Sequence, residues 1–378
     1  MKNTIIFYGA VPKEGEIPIG GGEVGNARTV EILREIYTLV FVRKYSLPDG
    51  SLKKLRSVFI VFFNYLYYLL ILIKFKNKRN SIVHISGFYE KVIFHELILI
   101  KTAKLLRYKV VYELRGGGAI YYYKNYSNQY RKRFESALNS SDFIFSQGKE
   151  NFPFINSITK KRIFHYPNYI TSEFIPETNP SRQSEHIQLV YFGRLNRFKN
   201  IEIIINSLKE LHNLNINAHL SLIGKFASEE YKQKIENLVY NLDLSNKITF
   251  YPACNHIQLK NHLKNKHFFI FPTVLPSEGH SNSLTEAMSH GIIPIVSANG
   301  FNASVVGDPK LVLKENTPEA ITSIISMIIE EEKITELSNY CYKRIQDNFT
   351  KDIVLRKLKA EYDCLFDIIN TNQALNKS

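Results

Sequence analysis

The sequence predicts an α/β protein of two parallel-sheet domains, and three observations predict it. Short β-branched runs alternate with longer helical patterns along nearly all of its 378 residues. A proline-bearing stretch without sustained periodicity divides these runs into two series. A 44 % hydrophobic content is enough to fill two cores without disulfide or metal staples.

The first domain is assigned residues 1–170. Its strands are expected at Thr4–Tyr8, Thr38–Val42, Ser81–Ile85, Lys109–Glu113, Asp142–Phe145 and Arg162–His165, with a helix at Glu90–Arg107. The chain begins Met1-Lys2-Asn3-Thr4 and enters an apolar run at once. Lacking a long apolar region before a small-residue cleavage site, it reads as a first buried strand rather than a signal peptide. Pro167, Pro176 and Pro180 lie among Ser, Thr, Asn and Glu between Tyr166 and His186, and the linker is placed at 171–186. The second domain, 187–348, has strands expected at Ile187–Phe192, Asn217–Ile223, Lys247–Phe250, His267–Phe271 and Ile292–Val296. Its helices are expected at Ile201–His212 and Glu229–Leu242, and the chain returns to helix from about Pro318 to Ile369.

Ser57–Ile73 is a run of 17 residues without a charge, flanked by Lys53, Lys54 and Arg56 and by Lys74, Lys76, Lys78 and Arg79. A membrane span usually takes about 20 residues. A span here would also put strands of one sheet on opposite sides of the bilayer, so it is rejected. Two readings stay open: a buried crossover helix, or a helix lying in the interface with its basic flanks on anionic headgroups.

The net charge of +14 is uneven. Residues 1–180 hold 27 Lys and Arg against 14 Asp and Glu, whereas residues 181–378 hold 22 against 21. An excess of +13 in one half points to an anionic partner for it, or to a generally basic solvated surface. The three cysteines, Cys254, Cys341 and Cys364, lack metal-ligand spacing and suit a reducing cytoplasm.

Four segments carry residue types fit for chemistry. Gly20-Gly21-Gly22 precede a helical pattern and can let a phosphate or sugar approach the backbone, or form a surface turn. The fourth strand runs into Arg115-Gly116-Gly117-Gly118, where Arg115 and Gly117 can meet a sugar or acceptor; a structural ion pair of Arg115 with Glu113 is the alternative. After strand Ile187–Phe192, Gly193 gives a turn that places Arg194 and Lys199 at a strand's C-terminal edge. Two cations there suit a diphosphate. Finally, Glu278-Gly279-His280-Ser281-Asn282-Ser283-Leu284-Thr285-Glu286 forms a turn onto a helix read as Leu284–His290. Its free N–H groups and dipole suit phosphate, Glu278 can accept from sugar hydroxyls, and Glu286 can reach a ribose. Ser283 and Glu286 alternatively fit a helix capping box.

Glu278 and Glu286 resemble the E-x7-E motif of the retaining GT-B glycosyltransferases, the family 4 group, and Gly193-Arg194-Leu195 with Lys199-Asn200 resembles that family's G-R-L-x3-K-N segment. The resemblance implies two Rossmann-like domains with a cleft between them, and a C-terminal helix, 349–378, returning toward the first. It implies a nucleotide-diphosphate sugar, by family habit a UDP-sugar, as co-substrate, and no cofactor or metal. The implied catalytic residues are Glu278, Arg194 and Lys199; the implied donor contacts are Gly21, Gly22, Arg194, Lys199, Glu278, Gly279, His280, Ser281, Asn282, Ser283, Leu284 and Glu286. The implied acceptor is a saccharide or a polyprenyl-diphosphate-linked sugar of capsule, O-antigen or exopolysaccharide synthesis, handled by a cytoplasmic enzyme at the inner face of the plasma membrane. Family members often carry histidine where Arg115 stands. His84 and His95 are no substitutes, since the pattern puts them in a strand and a helix.

Two other classes compete: a nucleotide-sugar epimerase of the same fold, and a basic nucleic-acid- or membrane-binding protein without catalysis. A nucleotide-sugar epimerase of the same fold is expected to carry more acid and base carboxylates, without this E-x7-E context. A nucleic-acid-binding protein is expected to carry a recognition motif, and none is found.

Overall fold

A computed structural model describes residues 3–12, 21–44, 53–75, 81–88, 92–180 and 186–375. The chain divides into two compact units, Met1–Pro167 with Leu355–Ser378, and Asn168–Val354.

In the first unit the order is β1 (Thr4–Gly9), α1 (Gly21–Ile36), β2 (Thr38–Arg43), α2 (Lys53–Phe75), β3 (Ser81–Gly87), α3 (Ile93–Leu105), β4 (Lys109–Leu114), α4 (Ala119–Asn125), α5 (Asn128–Ser140), β5 (Phe143–Ser146), α6 (Asn151–Ile158) and β6 (Arg162–His165). The strands form one parallel sheet in the order β2-β1-β3-β4-β5-β6. Both faces are covered, so β1 and β3 are buried at every residue, the polar Ser81, His84 and Ser86 of β3 included.

The second unit holds β7 (Ile187–Phe192), α7 (Ile201–Asn213), β8 (Ala218–Ile223), α8 (Glu229–Asn241), β9 (Ile248–Tyr251), α9 (His256–Leu263), β10 (Phe268–Phe271), α10 (Asn282–Ser289), β11 (Ile293–Ser297), α11 (Asn302–Val306), β12 (Val312–Leu313), α12 (Pro318–Glu330) and α13 (Ile334–Asn348). Its sheet is parallel in the order β12-β11-β10-β7-β8-β9. The order reverses between β7 and β10, and open α/β sheets bind ligands beyond the strand ends at such a reversal. The chain ends in α14 (Lys351–Leu375), whose residues from Leu355 onward belong to the first unit.

Three expectations need correction. The stretch read as a linker is packed into the second unit: Ile170 and Phe174 are buried in its core, and Ile170 bridges to Thr350. The helical stretch expected from Pro318 comprises α12, α13 and α14. The glycine loop is already helix, because α1 begins at Gly21. Gly20, and the flanking Lys76, Lys78 and Arg79, lie outside the described residues.

The buried-crossover reading of Ser57–Ile73 fails. Only 17 % of Val58–Phe75 is buried. Asn64, Tyr68 and Leu72, spaced four apart, face inward, while the opposite face is bare. Composition misleads here because the helix is apolar all round, so periodicity cannot say which face packs.

Candidate functional site

Two loops in the second unit leave the sheet side by side. Gly193 follows β7 and Gly224 follows β8, both at positive φ, +133° and +151°. The Gly193 amide donates to the Ile223 carbonyl at 3.0 Å, Leu195 to Lys225 at 3.0 Å and Ala227 to Leu195 at 2.9 Å. These bonds prolong the sheet by one bridge, Leu195 to Phe226. A side chain on Gly224 would put Cβ 1.8 Å from the Gly193 carbonyl oxygen, so only glycine permits this approach.

Arg194 follows the first of these glycines and is exposed. The Tyr191 hydroxyl donates to its carbonyl at 3.0 Å. Burial first, and then the nearby Glu278 carboxylate, push the Tyr191 phenol well above its ordinary pKa, so it stays a donor. Asn196 caps the turn Arg197–Lys199 through the amides of Phe198 and Lys199. Asn200 then takes a left-handed conformation, φ +60°, and starts α7. That turn aims Lys199 back at the sheet end, over the Phe271 ring at 4.8 Å, where its ammonium pairs with the Glu278 carboxylate.

Glu278 reaches this place on the loop after β10. Thr273 Oγ1 donates to Glu278 at 3.2 Å and lies 3.1 Å from the Phe198 carbonyl, which also accepts from the Val274 amide. The two motif loops, distant in sequence, are thereby stitched together.

Ser281, not Ser283, caps α10: its side chain accepts from the Leu284 amide at 3.4 Å. The helix begins two residues earlier than the sequence suggests, the Ser283–Glu286 capping box does not form, and Glu286 lies in the second turn rather than the first. His280 is buried, its Nε2 2.9 Å from Thr285 Oγ1 and its ring edge-on to Phe349. Leu284 is buried too, so these two residues offer a ligand only backbone. Asn168 Nδ2 donates to the His280 carbonyl and to Asn282 Oδ1, at 2.8 and 3.0 Å, and steadies the turn that carries Gly279. Ser281 and Ser283 hydroxyls lie 3.0 Å apart.

A cavity of about 590 Å³ opens beside these loops. Arg194, Lys225, Phe226, Cys254, His256 and Glu286 are among its lining residues. Glu286 Oε1 is 3.5 Å from His256 Nε2. The structure thus gathers the four motif side chains as two pairs of places: Arg194 and Glu286 on the cavity wall, Lys199 and Glu278 in mutual contact outside its lining. Sequence reasoning missed Lys225, Phe226 and His256. A signal existed for the first two, since Gly224-Lys225-Phe226 repeats the pattern of strand, glycine and cation seen at Gly193-Arg194-Leu195.

In the first unit, Arg115 at the end of β4 is 4 % exposed. Its guanidinium lies 2.9 Å from Glu113, donates to Thr29 Oγ1 at 2.7 Å and covers the Tyr166 ring at 5.6 Å. Glu113 is fully buried and also 2.9 Å from His84 Nε2, while His84 Nδ1 meets the Tyr362 hydroxyl of α14. Burial alone would raise the Glu113 carboxyl; Arg115 and His84 overcome it and hold the pKa below the ordinary value. Of the two readings of Arg115, the ion pair with Glu113 is the one observed. Gly117 follows in the loop before α4. Gly22 lies in the first turn of α1, where an added Cβ would stand 2.6 Å from the Phe88 ring. His84 and His95 lie in β3 and α3, as the pattern predicts.

Residues 173–347 match the family of glycosyl transferases group 1. A capsular polysaccharide biosynthesis glycosyltransferase, CapM of Staphylococcus aureus, is 23 % identical over 192 residues, 48 % of this chain and 47 % of that one. The chain thus matches about half the length of this relative. Among solved structures, a glycosyltransferase from Rickettsia africae superposes with a TM-score of 0.72 at 16 % identity, covering 96 % of this chain and 98 % of that one. HepE of Anabaena, determined in complex with UDP, gives 0.71 at 13 % identity, covering 96 % and 100 %. These likenesses establish the GT-B fold. The likeness to the glycosyl transferases group 1 covers residues 173–347, a little under half of the chain, and lies within the second unit.

Proposed function

We propose that this protein is a retaining, metal-independent glycosyltransferase that moves a hexose or N-acetylhexosamine from a UDP-sugar to a saccharide or polyprenyl-diphosphate-linked acceptor. The observation that carries the reading is the convergence of Arg194, Lys199, Glu278 and Glu286 at the β7/β10 reversal of the second sheet. The cavity has room for a nucleoside: Phe226 offers a ring face, Glu286 acceptors for ribose hydroxyls, and Arg194 a fork for phosphate. As the bond from the sugar C1 to the β-phosphate oxygen breaks, Arg194 and Lys199 meet the charge growing on the diphosphate, which is the role a metal would otherwise fill. The acceptor oxygen bonds C1 on the face being vacated and its proton passes to the departing phosphate oxygen, so configuration is kept and no protein base is needed. Glu278 orients the sugar hydroxyls. The capsular relative and the UDP-bound neighbour support a place in surface-polysaccharide synthesis, in the cytoplasm and peripheral at the inner face of the plasma membrane, where lipid-linked acceptors lie.

Calorimetric titration with UDP, GDP and ADP tests the donor site. UDP should bind selectively, and Glu286→Ala and Arg194→Ala should each weaken it roughly tenfold or more, the loss of a charged hydrogen bond. A folded protein that binds no diphosphate removes the reading.

A further inference from the structure

We propose that the outward face of α2 is a docking surface for an anionic lipid bilayer, on which the helix lies in the plane of the interface. Phe59, Phe62, Phe63, Tyr67, Leu70 and Ile73 are each between 50 % and 64 % exposed and fall on one side of the helix. They run for about 21 Å at 1.5 Å per residue. Exposed apolar residues scattered singly need no explanation, but a continuous stripe of aromatic and aliphatic side chains marks an interaction site.

The opposite face fixes the helix to its own domain. Tyr8 donates to Asn64 Oδ1 at 2.6 Å, and Asn64 Nδ2 to the Arg43 carbonyl at 2.7 Å. Tyr68 donates to the Leu99 carbonyl at 3.1 Å, and Tyr108 to the Leu72 carbonyl at 2.6 Å. Tyr65 lies 3.0 Å from Thr102 Oγ1. α2 is long and apolar enough to cross a membrane, yet spanning would break these bonds and separate β2 from β3, which flank β1 in one sheet. The helix therefore meets lipid as a fixed element of the domain.

Charge selects the occupant. From Gly50 to Tyr89 the sequence has seven Lys and Arg and no Asp or Glu. Lys53, Lys54 and Arg56 stand at the start of the helix, Lys74 at its end, and the other three follow. A second copy would bring basic ends against basic ends in either a parallel or an antiparallel pairing. Anionic headgroups complement both ends at once while the acyl boundary receives the apolar stripe. The inference gives a surface to the membrane placement proposed above and rests on it, but it is tested without nucleotide, so its outcome is separate from that of the donor titration.

Co-sedimentation of the full chain with phosphatidylcholine vesicles, with and without 30 % phosphatidylglycerol, is the test. The protein should bind the anionic vesicles at least tenfold more tightly than the neutral ones. The Phe59→Ser/Phe63→Ser/Leu70→Ser variant should lose at least tenfold of that affinity at an unchanged melting temperature, since all three side chains are exposed. Equal binding by variant and wild type overturns the proposal. So does a wild type that ignores vesicles but sediments as a dimer which the triple variant splits, because the face then belongs to a second copy.

Discussion

The Lys199 ammonium is paired with the Glu278 carboxylate across the end of the second sheet, although 79 positions separate them. In this arrangement the cation assigned to the diphosphate and the carboxylate assigned to the sugar occupy each other. Donor binding has to part them. Lys199→Ala should weaken UDP binding roughly 10- to 100-fold, as loss of a charged hydrogen bond predicts. Glu278→Gln should leave UDP binding equal or tighter, because Lys199 loses its competitor, while turnover of the sugar donor falls by about 100-fold or more. Calorimetry and a turnover assay on the same samples separate the two effects. Weaker UDP binding by Glu278→Gln would contradict the competition.

Gly224→Ala is predicted to damage the second unit. The new Cβ would meet the Gly193 carbonyl at 1.8 Å, in a backbone region that L-residues avoid. A strained conformation alone costs roughly 1–3 kcal/mol, and the clash adds to it. Chemical denaturation should show a loss of at least about 2 kcal/mol, with UDP binding lost in parallel.

Arg115 is predicted to matter for stability rather than for the donor. Arg115→Ala leaves the buried Glu113 carboxylate short of its charge partner, and breaking such a pair costs about 3–5 kcal/mol. Unfolding should register that loss while the UDP dissociation constant stays within twofold. A normal stability with a raised acceptor KM would instead place Arg115 against substrate.

Acid sensitivity of the first unit should follow His165. Burial, then the charges of Lys149 and Lys357, lower its pKa from 6.5 to about 4. Between those values the unfolded chain binds a proton that the folded one refuses, so stability falls as pH drops from 6.5 toward 4. The loss attributable to this ring is about 2 kcal/mol after allowing for its partial contact with solvent. His165→Gln should flatten the slope of urea unfolding between pH 6.5 and 4.5. Glu113, whose pKa is lowered, acts below about pH 4.5, whereas His95, lowered by burial and then by Lys44, shares the window with His165, so His165→Gln flattens the slope without abolishing it.

The strands were legible because parallel strands buried on both faces are short unbroken apolar runs, and eleven of them were anticipated within a residue or two of where they stand. β12 escaped notice, having only two residues. The loops after β7 and β10 were legible as local patterns of strand, glycine, cation and carboxylate. What stayed hidden depends on pairings far apart in sequence. His84, Glu113, Arg115 and Tyr362 join across the first unit, and no local window displays that network. The capping serine of α10 was misjudged because Ser281 and Ser283 both fit, and only backbone geometry chooses between them. The bare face of α2 was hidden for the opposite reason: a helix apolar on every side gives sequence periodicity nothing to report.

The close approach of Gly224 to Gly193 has a consequence for engineering. With no room for a side chain between them, the two loops act as a single ply of backbone, and length or register cannot change in one alone. On the proposed reading, nucleotide preference would be tuned by the side chains this ply displays, at 194, 225 and 226, together with the rest of the cavity wall. An exchange of specificity with another enzyme would have to graft both loops as a unit, and grafting one would be expected to unfold the rim it was meant to retune.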